Sequence, residues 1–485
     1  MSPETIILIV TLAAGLYMAW NIGANDVANA MGTSVGSGAL SLKQAVLIAG
    51  ILEFAGAFFL GSHVTETVRK GMLDPSIFAH DPHILMFGML SALLAAGVWL
   101  QIATYFGWPV STTHSIVGAI VGFAIIGGGA GSVNWGKIGQ IVASWIISPL
   151  LSGILAYLIF QFIKSKILNA QNSIAAMNRY TPFFTGAVFF VLSLVMLFKG
   201  LNNLHLSLNI FEASLMALGV AIVTGFIGYL LINRISINDM RATFLENQKV
   251  QGSENLEIAR QLQKTLTRLE HVGKEAAPQI RYRLNNLRDD MGNLVTDIEE
   301  NVFASGTTYS GTDGRDFLYV EKVFGYLQIL SACFVAFAHG ANDVANSIGP
   351  LAAVVSILNT GKIGATVGVP LWLLTIGGVG IVIGLATWGW CVIETVGKKI
   401  TELTPTRGFA AEFGAATTIV LASRAGLPIS TTHTLVGAVF GVGMARGVMS
   451  LDLKVVKNIV ISWLVTVPAG AFLAIIFYEI IKAIF

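Results

Sequence analysis

From position 5 to position 40 the chain runs for 36 residues with a single charged side chain, Asp26, and from 323 to 358 it does so again around Asp343. A straight α-helix of that length measures ~54 Å at 1.5 Å per residue, against a hydrocarbon core of roughly 30 Å. Apolar runs of this kind read as transmembrane helices. Hydrophobic residues make up 54% of the 485 residues and charged ones 12%, so a soluble fold would have to bury nearly every helix on all sides. The expected class is therefore an all-α polytopic membrane protein, not about three soluble domains. The 52 glycines agree, because small residues let membrane helices approach closely. A net charge of +2 gives no reason to expect a nucleic-acid partner. Cys333 and Cys391 lie in apolar segments, which suggests neither a disulfide framework nor a thiolate metal cluster. The first run lacks a basic leader and continues into a polar motif, so no cleavable signal peptide is expected.

That motif is half of a duplication. The seven residues GANDVAN at 23–29 recur at 340–346. GWPVSTTHSIVGAIVG (107–122) is answered by GLPISTTHTLVGAVFG (426–441), and SWIISP (144–149) by SWLVTVP (462–468). Three blocks in one order at nearly constant offset mark two copies of one unit. They divide the chain into a first membrane repeat (1–168), connecting transmembrane helices (169–233), an insertion (234–319) and a second repeat (320–485).

The insertion is different material, with 24 of the chain's 56 charged side chains. Within it Ile280, Leu284, Leu287, Met291, Leu294 and Ile298 follow heptad spacing. Ile258, Leu262, Leu266 and Leu269 form a second stripe, and Pro278 separates the two, which predicts a soluble helical hairpin. Loop charges bear on orientation, since Lys and Arg favour the cytoplasm. Lys164, Lys166 and Arg179 follow the first copy, but only Lys482 follows the second. Between the STTH block and the last helix the bias reverses, with Lys137 alone against Arg446, Lys454 and Lys457. The repeats are thus expected to be inverted, with twelve crossings and both termini outside if each STTH segment crosses, and fewer if those segments are re-entrant. Inverted repeats with broken helices are the common build of secondary transporters, whose sites lie at the midplane.

A 36-residue run is too long for one crossing, which predicts a break at GAND, where Gly tolerates unusual backbone angles and Asn and Asp compete for backbone hydrogen bonds. Asp26 and Asp343, with Asn29 and Asn346 and the neighbouring Asn25 and Asn342, would then offer oxygens to a hard cation such as Na⁺, or a carboxylate to a proton. The hydroxyls Ser111, Thr112 and Thr113, and Ser430, Thr431 and Thr432, follow Pro109 and Pro428 and open apolar helices. Serine at such a start is an N-cap, and the free N–H groups beside it form an anion site. Two of them facing each other could hold a small tetrahedral oxyanion without arginine, with the bound cation supplying the positive charge.

Other polar residues carry weaker signals. Glu53 lies mid-span, where a carboxylate must face the bundle interior. Glu412 lies nearer a helix end, and Gln101 can bond across helices. These three are candidates for coupling or gating. His114 and His433 lack companions at metal spacing and read as satisfied core histidines. No acid partner accompanies STTH, so a Ser–His nucleophile, and with it an enzyme, is not expected.

With both GANDVAN copies and both P-x-STTH blocks in view, the chain resembles the inorganic phosphate transporter (PiT) family over essentially its whole membrane portion. The resemblance implies a symporter that moves inorganic phosphate inward with Na⁺ or H⁺. It further implies an inverted repeat of twelve segments in the plasma or inner membrane, a large cytoplasmic insertion and a homodimer, with no cofactor beyond the coupling ion. It maps important acidic residues onto Glu53 and Glu412 and the motif aspartates onto Asp26 and Asp343. GANDVAN in both halves is closer to the Na⁺-coupled members, and H⁺-coupled uptake of phosphate, metal-phosphate or sulfate is the alternative. One edge departs from symmetry. Asn21 and Ile22 precede the first motif where Ala338 and His339 precede the second.

Overall fold

The computed structural model describes residues 2–69, 72–73, 75–197, 209–232, 262, 264–265, 291, 312–363, 369–424, 429–447 and 451–485. All but isolated positions of the expected hairpin lie outside these residues, as does Pro428. The described chain is helical, apart from one antiparallel bridge between Leu73 and Val133. The first copy supplies α1 (Pro3–Gly36), α2 (Leu42–Arg69), α3 (Pro82–Tyr105), α4 (Thr112–Gly128) and α5 (Trp135–Ile163). After α6 (Ser173–Val195) and α7 (Ile210–Ile232) come α8 (Thr312–Thr360), α9 (Leu371–Trp388), the short α10 (Trp390–Glu394), α11 (Pro405–Arg424), α12 (Thr431–Arg446) and α13 (Leu453–Ile484). The chain forms two compact units. One comprises 1–166, 179–228 and 321–485, and the other 167–178 and 229–320. Within the smaller, the Tyr319 hydroxyl donates to Asn178 Oδ1 at 2.6 Å. Everything below concerns the larger unit.

Among the described residues eight helices are long and apolar enough to cross a membrane: α1, α2, α3, α5, α7, α8, α9 and α13. Both STTH helices fall short of that measure, α4 with 17 residues and α12 with 16. Each opens on the expected serine cap. Ser111 and Ser430 are extended, and their Oγ atoms accept from the backbone N–H of His114 and His433.

The break expected at GAND is not there. α1 is a continuous helix of 34 residues and α8 one of 49, and both pass through the motif without leaving helical geometry. Two physical reasons stand out. Asn25, Asn29 and Asn346 are drawn to other helices, and Asn342 to the neighbouring Asp343 side chain, instead of to local backbone. And the length excess matters less than a lipid-surrounded helix would suggest, because α1 is buried in protein without interruption from Asn21 to Ser34. Among the described residues the discontinuities lie elsewhere, in the turn before α4, at the extended Ser430 that opens α12 and at Gly389, which separates α9 from α10 and the π-turn Thr395–Lys399.

The motif glycines serve close approach. A Cβ on Gly23 would stand 1.9 Å from the Ile381 carbonyl oxygen of α9, and one on Gly384 would stand 1.8 Å from that of Trp20 in α1. The other half repeats this: Gly340 would meet the Glu53 carbonyl oxygen of α2 at 2.1 Å, and Gly56 that of Phe337 in α8 at 2.0 Å. The α1–α9 crossing and the α8–α2 crossing are therefore the same glycine-to-backbone joint. Its partners pair with constant offsets, residue 23 with 340, 20 with 337, 381 with 53 and 384 with 56. A second matched joint binds the STTH helices to the long helices of the opposite copy. A Cβ on Gly118 would stand 2.5 Å from the Val467 carbonyl oxygen, and one on Gly437 would stand 2.4 Å from that of Pro149.

No larger side chain fits such a joint without parting two helices. Gly23→Ala is expected to lower stability by about 1–3 kcal/mol, read as a depressed melting temperature of the purified protein. Gly139→Ala, with no atom within 4 Å of the added methyl, is expected to melt like the parent. Equal melting of the two variants would contradict the joint.

Candidate ion-binding site

The α1 face that carries the first motif looks toward α3, α4 and α12. Asn25 is spent on structure. Its Nδ2 donates to Thr104 Oγ1 at 2.9 Å and to the Trp108 carbonyl at 3.0 Å, and its Oδ1 accepts from the Val110 N–H at 3.2 Å. It thereby fixes the turn that delivers Ser111 to the start of α4. The next residue, Asp26, and Asn29 one helical turn on reach the opposite copy's STTH helix. Asp26 Oδ1 accepts from Asn29 Nδ2 at 3.0 Å and from Thr432 Oγ1 at 3.1 Å, and Asn29 Nδ2 also lies 2.8 Å from Thr432 Oγ1.

The second motif does the converse. Asn346 Nδ2 donates to Thr112 Oγ1 at 3.2 Å and Thr113 Oγ1 at 3.3 Å on the first copy's STTH helix. Asp343 Oδ1 accepts from Asn342 Nδ2 at 2.9 Å, and Asn342 itself is half-buried. His339, one turn before Asp343 on the same helix face, sits with Nε2 2.5 Å from Asp343 Oδ2 and Nδ1 3.4 Å from Glu53 Oε1. Neither approach has hydrogen-bond alignment.

The two halves converge. One ligand atom each from Asp26, His339 and Asp343 lie within 4.8 Å of one another, and all three residues are buried. Several oxygens around this centre have no hydrogen-bond partner in the protein: Asp26 Oδ2, Asn29 Oδ1, Asp343 Oδ2 and both carboxylate oxygens of Glu53. Buried acceptors without donors carry a desolvation penalty of about 1–3 kcal/mol each, more when charged. A bound cation removes that penalty, and carboxylate and amide oxygens suit a hard one. No Lys or Arg among the described residues is buried, and the basic side chain that faces these oxygens is the imidazole of His339. The hydroxyls of Thr112, Thr113, Thr431 and Thr432, together with the first-turn N–H groups of α4 and α12, supply donors on the other side. The two helix starts adjoin: the rings of His114 and His433 lie 4.3 Å apart, edge to face.

The remaining candidates fall outside this centre. Glu412 joins α1 to α8. Its Oε1 accepts from Thr33 at 2.5 Å, Ser34 at 2.8 Å and Gln328 Nε2 at 3.2 Å, while Ser331 donates to its Oε2. Every oxygen of this carboxylate is occupied. Gln101 accepts from the Tyr17 hydroxyl, tying α3 to α1. The two histidines differ: His433 Nδ1 lies in hydrogen-bond reach of the Trp145 carbonyl at 3.5 Å, and His114 has no partner on either nitrogen. The rings of His114 and His433 are held against Trp145 and Trp463, with centroids 3.6 and 3.8 Å apart. His339 was absent from the expected site. Its spacing of four from Asp343 is the signal that points to it, and reading the helix as broken there conceals that signal.

These features define a polytopic helical membrane protein with a buried cluster of carboxylates and an imidazole, a candidate ion site, mid-helix between two sequence copies. The phosphate transporter family model matches residues 22–474. The chain is 44% identical over 470 residues to the inorganic phosphate transporter 2-1, chloroplastic, of Arabidopsis thaliana, covering 96% of this chain and 71% of that one. It is also similar to a solved structure of a sodium-dependent phosphate transporter, with TM-score 0.76 and 38% identity, covering 99% of this chain and 100% of the other. The chain belongs to the phosphate transporter family.

The two asparagines that follow the motif glycines do unlike work, so their removal is expected to differ. Asn25→Ala strips three bonds from a buried turn and should lower stability by about 1–3 kcal/mol. Asn342→Ala removes one bond to a neighbouring residue and should leave the melting temperature near the parent's. A larger loss from Asn342→Ala would contradict this assignment.

Proposed function

We propose that the protein takes up inorganic phosphate by symport with Na⁺. Asp26, Asn29, Asp343 and Asn346 hold the cation. The Ser111, Thr112, Thr113, Ser430, Thr431 and Thr432 hydroxyls, with the α4 and α12 N-termini, hold the anion. The observation that carries the reading is the crossed bracing of the two copies, Asp26 and Asn29 on Thr432, and Asn346 on Thr112 and Thr113. It leaves unpartnered oxygens next to hydroxyl donors, with no buried Lys or Arg among the described residues. A cation on the carboxylates supplies the positive charge the anion lacks, so each ligand favours the other. The likeness to a sodium-dependent phosphate transporter supports Na⁺ as that cation.

Each membrane repeat, 1–168 and 320–485, contributes one motif and one STTH helix start. In this reading the repeats are inverted and make twelve crossings, the two STTH helices counted among them. Alternating access follows from one bundle rocking against the other about the shared centre. Glu412 and Gln101 fasten helices that move together, Asn25 and Asn342 shape the site's edges, and 234–319 forms a cytoplasmic hairpin. The protein works as a homodimer in the cell membrane and carries out no chemical conversion.

Labelled-phosphate uptake into proteoliposomes, with Na⁺ and pH gradients imposed separately, tests this reading. Uptake is expected to follow the Na⁺ gradient, and uptake that follows only the pH gradient would replace Na⁺ by H⁺. Asp26→Asn removes a charged ligand worth about 1.5–3 kcal/mol, so the Na⁺ concentration for half-maximal uptake should rise roughly tenfold to a hundredfold. Parental Na⁺ dependence in a well-inserted variant would refute the role of Asp26.

A further inference from the structure

Tyr17, Asn21, Asn25 and Asn29 follow one another along α1 at intervals of four and so share one helix face. The corresponding positions of α8 are Phe334, Ala338, Asn342 and Asn346. Within the motif the two copies match, but on its N-terminal side only the first copy continues the polar face. The three α1 amides have their donor ends spent. Asn21 Nδ2 donates to the Tyr17 carbonyl at 2.9 Å, Asn25 Nδ2 to Thr104 and Trp108, and Asn29 Nδ2 to Asp26 and Thr432. Acceptor ends are left over: Asn21 Oδ1, Asp26 Oδ2 and Asn29 Oδ1 are buried without a hydrogen-bond partner. Asn21 precedes Asp26 by about 7.5 Å along the helix axis. A face with open acceptors and spent donors offers coordination to a cation and nothing to an oxyanion.

The N-terminal end of this face is closed by a pair of side chains. The Tyr17 hydroxyl donates to Gln101 Oε1 of α3. The Tyr17 ring lies on the α3 backbone, where a Cβ on Gly97 would stand 2.7 Å from it. It also stacks on Trp20, which stacks on Trp388, with centroids 6.4 and 5.8 Å apart. Tyr17 and Gln101 are half-buried, whereas Asn21 has no exposed surface. Polar side chains within a transmembrane segment face the bundle interior or water, not lipid, so the pair marks the outer limit of a polar groove between α1 and α3. At the matching positions of the second copy, Phe334 and Val420 have no side-chain hydrogen bond to make or break. Asn25 on Thr104 ties α1 to α3 beyond Asn21, so a swing of the Tyr17 ring opens the groove without parting the helices.

We propose that the groove between α1 and α3 is the entry route of the coupling cation, with Tyr17 and Gln101 as its gate and Asn21 Oδ1 as the first ligand met on the way to Asp26. The inference rests on the symport reading above, whose topology turns the Tyr17 end of α1 toward the outside of the cell. It goes beyond that reading by giving the cation a path that the first copy alone provides and that phosphate does not share.

Thiol labelling of Asn21→Cys tests it, in purified protein in lipid nanodiscs with Cys333 and Cys391 replaced by Ser and thermal melting as the measure of folding. Two methanethiosulfonates of similar size are compared, one bearing a trimethylammonium and one a sulfonate, each rate divided by that reagent's rate with free cysteine. The cationic reagent is expected to react faster. Adding Tyr17→Phe, which deletes only the gate hydroxyl, should quicken labelling about twofold to tenfold, the effect of one lost hydrogen bond on an opening equilibrium. Gln101→Ala should do as much, and Tyr17→Phe/Gln101→Ala no more than either alone. Equal normalised rates for the two reagents, or a rate indifferent to Tyr17→Phe, overturn the proposal. Should Asn21→Cys fail to fold, Tyr17→Phe alone is read by release of bound radioactive Na⁺. Release is expected to quicken by the same factor at parental equilibrium affinity, and unchanged release or weakened affinity overturns the gate. Asp26→Asn run in parallel separates the two levels of inference. Parental Na⁺ dependence of uptake there defeats the symport site itself, whereas lost Na⁺ dependence beside equal labelling rates defeats only the route.

Discussion

Asp26 is a carboxylate with no exposed surface, and the arrangement around it follows from the need to keep it there. A lone buried carboxylate is unfavourable by several kcal/mol unless its oxygens are met by donors or a cation. The protein meets one oxygen with Asn29 from the same helix and Thr432 from the opposite copy, and leaves the other without a donor. The first contact forces α12 to begin beside α1. The reciprocal contact from Asn346 forces α4 to begin beside α8. Two short helices are thereby aimed at one point from opposite copies, and their capped N-termini add donors where the carboxylates supply acceptors.

Such convergence requires backbones closer than ordinary side chains permit. The glycine joints supply that closeness at α1–α9 and α2–α8, and again between the STTH helices and the long helices of the opposite copy. The glycine of GAND is therefore a packing device, and only its neighbours are chemical. Glu412 belongs to the same scaffold. Four donors from α1 and α8 saturate it, so it fastens these two helices near the end of α1 and leaves no oxygen for an ion.

The duplicated motifs pointed to most of the residues that meet at the candidate centre, because a repeated Asp or hydroxyl in an apolar run has few structural uses. The serine caps were legible for the same reason, since Ser before an apolar helix and after Pro has a defined backbone role. Two things were not legible. Length against bilayer thickness argued for a broken helix at GAND, but that argument treats lipid as the surroundings, whereas α1 from Asn21 to Ser34 is enclosed by protein. Asn25 looked like an ion ligand and is instead consumed by a turn eighty residues away. That distinction depends on which donor its amide meets, and no spacing rule encodes it. His339 was visible as a break in the symmetry of the two copies, but its partner Glu53 lies on another helix, so their pairing required the packing of α2 on α8.

In the proposed symport, phosphate and cation share a buried site in which neither is well held without the other. Phosphate binding to the purified protein, measured by calorimetry with Na⁺ present and with Na⁺ replaced by choline, tests it most directly. Linked binding of this kind carries about 1–3 kcal/mol, so Na⁺ should tighten phosphate about 5- to 150-fold, and phosphate should tighten Na⁺ by the same factor. A phosphate affinity that is the same with and without Na⁺ would contradict the shared site.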